Sequence, residues 1–169
     1  MKFRTIIKNK LSLIVNYLKW INLDWEDRSL SLQARLLMSS DLWRNHEKYL
    51  DLFSKEFRVF SQWGDDGIIQ YLIYALNIQN KKFIEFGVGN YYESNTHFLL
   101  INNNWSGFVI DGSQKCTDIL KNNSFFWRYD LNIKTAFINK DNINEILNES
   151  NFEKVGLLHI DLDGNDYWI

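Results

Sequence analysis

Residues Phe83 to Thr96 read FIEFGVGNYYESNT, and the fold turns on how they are parsed. Phe83-Ile84-Glu85-Phe86 is a short, mostly apolar run that reads as a buried strand, and it stops at Gly87. Ser94 stands where it would cap a helix over 95–101, whose end is marked by Asn102-Asn103-Asn104. Between strand and helix lies the turn Glu85-Phe86-Gly87-Val88-Gly89-Asn90. Glycines at 87 and 89 let the backbone approach a bound molecule closely, because a Cβ there would collide with it or forbid a positive φ.

The same alternation continues outward. Gly107-Phe108-Val109-Ile110 reads as a second strand ending at Asp111, which lies 22 residues beyond Gly89. A helix around 117–121, a third strand near Thr135 to Ile138, a helix around 143–147 and a fourth strand over Val155 to Ile160 follow. Upstream, Asp65 or Asp66 is placed to cap a helix running through Leu76. Strands alternating with helices imply an α/β fold with a parallel sheet. Ligands of such sheets bind beyond the carboxyl ends of the strands, where the strand order reverses.

The first third of the chain differs. Phe3, Ile7, Leu11, Ile14 and Leu18 recur at helical spacing. Leu32, Leu36, Leu37, Trp43, Leu50 and Phe53 do the same on either side of a Ser39-Ser40-Asp41 break. Residues 1–58 are therefore expected to be a helical extension, and 59–169 the ligand-binding domain.

Composition bounds the function. A chain of 169 residues, 46% hydrophobic and 16% aromatic, has enough apolar material for one well-buried domain. The formal net charge of −2 gives no general attraction to nucleic acid or anionic membrane, and no partner of either kind is expected. Asn16, Lys19 and Asn22 interrupt the apolar stretch near the N-terminus before it reaches spanning length, so cytoplasmic residence is the default expectation. Cys116 is the only cysteine, which excludes a disulfide framework and a multi-thiolate zinc site. His46, His97 and His159 lack metal-pair spacing, and His159, in mid-strand, reads as a satisfied core residue.

Two groups of residues carry chemistry. Asp111, at the end of the second strand, can accept both hydroxyl protons of a ribose, and with Gly87 and Gly89 it forms a nucleoside-binding signal. The expectation is that the glycine turn and this acid hold opposite ends of one adenosine-bearing molecule. The second group, Asp161-Leu162-Asp163-Gly164-Asn165-Asp166, crowds three carboxylates just past a buried strand, an arrangement suited to sharing a cation, a metal or a proton, where a sulfonium is one such cation, or else to a turn whose Asp and Asn side chains cap backbone amides around Gly164. Gln62 is either a contact to the charged end of the ligand or a cap.

FIEFGVGNYYESNT resembles the first motif of the class I S-adenosylmethionine-dependent methyltransferases. SGFVIDGS, Ser106 to Ser113, resembles the second motif, and LLHIDLDGNDYWI, Leu157 to Ile169, the fourth. FSQWGDDGIIQYLI, Phe60 to Ile73, is similar to the segment preceding the first strand in FkbM-type members. The resemblance implies a Rossmann-like sheet of order 3-2-1-4 that binds S-adenosylmethionine. Glu85, Gly87, Gly89 and Asn90 would line the amino-acid end, Asp111 the ribose, and Asp141 and Asn142 the adenine. Asp161 would lie near the reactive methyl. An O-methyl transfer to a small molecule or glycan is implied, with Asp161 or Asp163 taking the acceptor proton and no metal.

The sequence also departs from that pattern. Tyr91 occupies the position of a frequent third glycine, so the loop is expected to turn differently. Four strands stand where the family has seven, so the expectation is a truncated, incomplete domain whose fourth strand is an exposed edge open to homo-oligomer pairing. Three other readings remain open at this point. Asp161-Leu162-Asp163 is also a D-x-D triplet of the sort that holds a metal in nucleotide-sugar transferases. An NAD site is disfavoured by the missing glycine. A non-catalytic nucleoside-binding remnant is the third.

Overall fold

The computed structural model describes residues 11, 15, 25–44, 51–123, 126–162, 164 and 166–169. Four strands, β1 (Lys82–Phe86), β2 (Ser106–Asp111), β3 (Leu131–Thr135) and β4 (Leu157–Ile160), form one sheet of order β3-β2-β1-β4, and every pair is parallel. Four helices surround it: α1 (Asp65–Ala75), α2 (His97–Asn103), α3 (Gln114–Lys121) and α4 (Ile143–Glu149). The architecture is α/β and Rossmann-like, with the strand order expected.

Alternation of side chains along the strands divides the core in two. Phe83, Val109 and Leu131 point to the face covered by Ile69 of α1, Leu99 and Leu100 of α2 and Leu120 of α3. Ile84, Phe86, Phe108 and Ile110 point to the other face, against Ile146 of α4. The chain thus winds one way from β1 through β3 and crosses to the opposite face to enter β4. The strand order reverses between β1 and β4, which opens a crevice at their carboxyl ends. β1, next to that crevice, is buried from Phe83 to Phe86.

Several local expectations are corrected. The third strand is Leu131–Thr135, not Thr135 to Ile138. Leu131 and Ile133 supply its core face, so Ala136, Phe137 and Ile138 are displaced past the strand end into the crevice wall. Neither Asp65 nor Asp66 caps α1, whose N-cap is Gly64. Asp66 is buried, and its Oδ2 accepts the amides of Val59 (2.7 Å), Phe60 (2.7 Å) and Ser61 (3.0 Å). Burial pushes the Asp66 carboxyl above its usual range, with those amides opposing the shift. Ser94 does not cap α2, which begins after Thr96 and ends, as expected, at Asn104 in the left-handed conformation. Ser113 caps α3 through the Cys116 amide, so that helix starts earlier than the apolar pattern indicates.

The N-terminal region is helical over 25–39 and again over Asp41–Arg44, with the break at Ser40. Leu32, Leu36 and Leu37 of this region are exposed, and the inward face is made instead by Ser31 and Ala34. Ala34 clusters with Val59 and Phe98, so this segment shares a core with the sheet domain. Buried Trp43 adds to the joint, meeting Tyr71 of α1 edge-on at 5.7 Å. Phe3, Ile7, Ile14, Leu18 and Leu50 lie outside the described residues. No helix among the described residues is long and apolar enough to cross a membrane.

Candidate functional site

A cleft of about 1180 Å³ opens over the carboxyl ends of the strands. Its floor is the β1–α2 turn. Gly87 (φ 78°) and Gly89 (φ 53°) both adopt left-handed backbone, for different reasons. A Cβ on Gly87 would lie 1.7 Å from the carbonyl oxygen of Asp161, so the end of β4 itself requires the missing side chain. A Cβ on Gly89 would have nothing within 4 Å and would project into open space.

Asp111 stands directly beside this turn. Its Oδ2 accepts the Gly89 amide at 2.7 Å, and its Oδ1 accepts the Ser113 amide at 2.7 Å. The glycine turn and the acid, expected at opposite ends of a ligand, are therefore joined in one wall. An ionised carboxylate has about four acceptor sites, so two remain for a diol.

Tyr91 is the third left-handed residue of the loop, at φ 69°. The expectation that a tyrosine would redirect the turn is corrected, because the residue takes the glycine-like conformation instead. Its ring is fully buried, and its hydroxyl is 3.0 Å from Thr96 Oγ1. Burial and the charge of Glu85 push the Tyr91 phenol well above its ordinary range. It is a core residue, while neighbouring Tyr92 is exposed.

Glu85 lines the cleft, but its oxygens are already engaged. Oε2 accepts from Ser94 Oγ, Thr96 Oγ1 and the Thr96 amide, and Oε1 accepts the Asn95 amide at 3.1 Å. Thr96 Oγ1 donates to Glu85, so the Tyr91 hydroxyl donates to Thr96. This carboxylate shapes the loop of residues 94–96 from beneath.

Asn90 and Asp161 line the cleft as expected, with Asn90 Oδ1 also holding the Tyr92 amide at 3.1 Å. Asp163 lies outside the described residues. Asp141 and Asn142 are not among the lining residues. Asn142 Nδ2 donates to Phe137 O and its Oδ1 accepts the Asn139 amide, so it organises the loop whose Phe137, Asn139 and Lys140 reach the cleft. Phe137 is 83% exposed, and its ring edge comes within 2.7 Å of where a Gly112 Cβ would stand. With Trp63 and Trp168 it forms an aromatic rim. Gln62 also lines the cleft, its Nε2 donating to Glu93 at 3.1 Å.

His159 corrects a further expectation. It is half-buried and lines the cleft, and its Nδ1 is 3.5 Å from Glu85 Oε1 without a hydrogen bond. The strand register that decides this, pairing His159 with Glu85 on one face, is set by the sheet and is not readable in the sequence. Asp166, in the turn beyond, is held below the usual carboxylate range, chiefly because it accepts the Leu162 amide, with the nearby His159 adding to the effect.

No family model, curated protein or solved structure matches the chain. The functional reading therefore rests on the cleft. Asp65, Glu85, Glu93, Asp111 and Asp161 line it, with Lys140 the one lysine or arginine among the described lining residues. Among the described residues, no group of three or more His, Cys, Asp or Glu side chains gathers to hold a metal.

Proposed function

We propose that this protein binds S-adenosylmethionine and methylates a hydroxyl group of a small molecule or glycan. The observation that carries the reading is the 2.7 Å bond from the Gly89 amide to Asp111, which presents a carboxylate with spare acceptor sites beside an open glycine turn. That pairing suits a ribose on the acid and the remainder of the ligand along the backbone of residues 87–90. Phe137, lying against Gly112, supplies a platform for the adenine, which the resemblance had placed near Asp141 and Asn142.

The sign of the charge favours this ligand over its rivals. Five carboxylates against one lysine suit a ligand carrying a sulfonium and an ammonium, and they oppose the diphosphate of NAD or of a nucleotide sugar. S-adenosylmethionine supplies, when bound, an electrophilic methyl group on that sulfonium. The chain's own contribution is alignment: Asp161 faces the cationic centre, and the aromatic rim limits water at the mouth of the cleft.

Calorimetric titration with S-adenosylmethionine, S-adenosylhomocysteine, NAD, and a UDP-sugar with manganese tests the reading. Saturable binding of the first two alone is expected. Binding of NAD or the UDP-sugar in their place, or of none of the four, refutes it. Asp111→Asn presents an amide N–H to one of the two backbone donors, and affinity for S-adenosylhomocysteine should fall about 10- to 100-fold, as expected for losing hydrogen bonds to a charged group.

A further inference from the structure

Strand β4 brings His159 into register with Glu85, and the two side chains meet at the base of the cleft. Three observations bear on what the imidazole does there. Its Nδ1 is buried, lies 3.5 Å from Glu85 Oε1 and has no hydrogen-bond partner. Glu85 is 1% exposed and is fixed by donors from Ser94, Asn95 and Thr96, so it cannot turn away. A quarter of the histidine side chain remains accessible, and the residue lines the cleft.

A neutral imidazole carries its proton on one nitrogen and a lone pair on the other. Were Nδ1 bare, its lone pair would face a buried carboxylate oxygen, a repulsive contact in a low-dielectric site. With the proton on Nδ1, the same contact is attractive and needs only a small closure to become a hydrogen bond. The proton therefore belongs on Nδ1, which leaves the Nε2 lone pair for the accessible side of the ring.

We infer that His159 is the general base of the proposed methyl transfer and that Glu85 is its positioning residue. The inference rests on the methyltransferase reading given above. The acceptor's hydroxyl proton passes to Nε2 as its oxygen bonds to the methyl carbon, and the electron pair of the broken carbon–sulfur bond returns to sulfur. Glu85 sets the tautomer beforehand and balances the imidazolium afterwards. The half-buried imidazole, held against Glu85 with its second nitrogen left for the cleft, is better placed for this task than the exposed carboxylate of Asp161. Among the described residues, the other acids following β4 are Asp161, which lines the same cleft, and Asp166, on whose carboxyl His159 acts electrostatically.

The test needs no acceptor. Long-range ¹H–¹⁵N spectra of the full chain should show His159 as the Nδ1–H tautomer, and an Nε2–H tautomer would overturn the inference. Diethyl pyrocarbonate, which acylates a bare imidazole nitrogen, should modify His159 about tenfold faster than buried His97, which reacts only on local opening. The rate should persist in the S-adenosylhomocysteine complex, since an acceptor must reach the base beside the donor, and its suppression there would overturn the base. Glu85→Gln should slow the modification by about tenfold or more, in line with loss of an orienting partner. If that variant does not fold, the wild-type tautomer still decides. Failure of S-adenosylhomocysteine to bind removes the methyltransferase reading and the base with it, whereas normal binding with the wrong tautomer removes the base alone.

Discussion

Replacing Gly87 and Gly89 by alanine, one at a time, should separate two demands that the sequence leaves indistinguishable. Both alanines meet a left-handed backbone, which costs about 1–2 kcal/mol for a residue with a Cβ. At Gly89 the cost ends there, because the new methyl enters open space. At Gly87 the methyl would stand 1.7 Å from Asp161 O, well inside the 3.0 Å that real Cβ atoms keep. The start of the β4 turn must then withdraw, which strains the 3.1 Å bond from the Asp161 amide to Phe86 O and adds about 1–2 kcal/mol. Gly87→Ala should therefore lose about 3 kcal/mol and Gly89→Ala about 1, or roughly 6–12 °C against 2–4 °C in Tm for a chain of this size. Thermal unfolding by circular dichroism reads that difference, and calorimetry with S-adenosylhomocysteine reads the other half. Gly89→Ala should fold and lose at least about tenfold in affinity, because its methyl occupies the ligand's path. Equal destabilisation by the two alanines, or full affinity in Gly89→Ala, would refute this division.

Two further predictions concern buried groups that do not line the cleft. His97 is buried beneath Phe60, and burial holds its imidazole down at about 4 against an ordinary 6.5. The unfolded chain takes up that proton first, so the contribution of His97 is complete above pH 6.5 and is lost as pH falls toward 4. It amounts to about 3 kcal/mol. Urea unfolding of the wild type and His97→Phe over this range should show the slope weakened in the variant, and identical slopes would refute it. Asp66→Ala should leave the amides of Val59, Phe60 and Ser61 without their acceptor, costing about 3 kcal/mol. Hydrogen exchange at those three amides should accelerate well before that of β1, and uniform acceleration would count against a local anchor.

The strands were legible where burial is complete. Gly107 to Ile110 carries no polar side chain and Phe83 to Phe86 only that of Glu85, because both faces of the inner strands are covered, and the expected bounds lie within one residue of β1 and β2 at each end. β3 starts four residues and ends three residues before the expected strand because the apolar run Ala136-Phe137-Ile138 outweighs the alternating Leu131 and Ile133, although it is the alternating pair that faces the core. Helix starts were missed at Asp66 and Ser94 for a shared reason. Both residue types cap helices locally, and here each is engaged over a longer range, Asp66 by the preceding segment and Ser94 by Glu85. As cleft-lining residues, Gly87, Gly89, Asn90, Asp111 and Asp161 are legible from the glycine turn and from their place at strand ends. Phe137 and His159 were not, since an aromatic and a histidine in apolar runs carry the same pattern whether they line a cavity or fill a core.

Tyr91 holds a torsion that glycine would adopt freely, and it does so because its ring is worth more inside the protein than the strain costs. Placing glycine at position 91 would relax the torsion and leave a void beside His97, 4.9 Å away, with no hydroxyl to orient Thr96. Engineering this loop for backbone comfort alone would thus work backwards: the substitution that relieves the torsion would loosen the ground on which Glu85 stands.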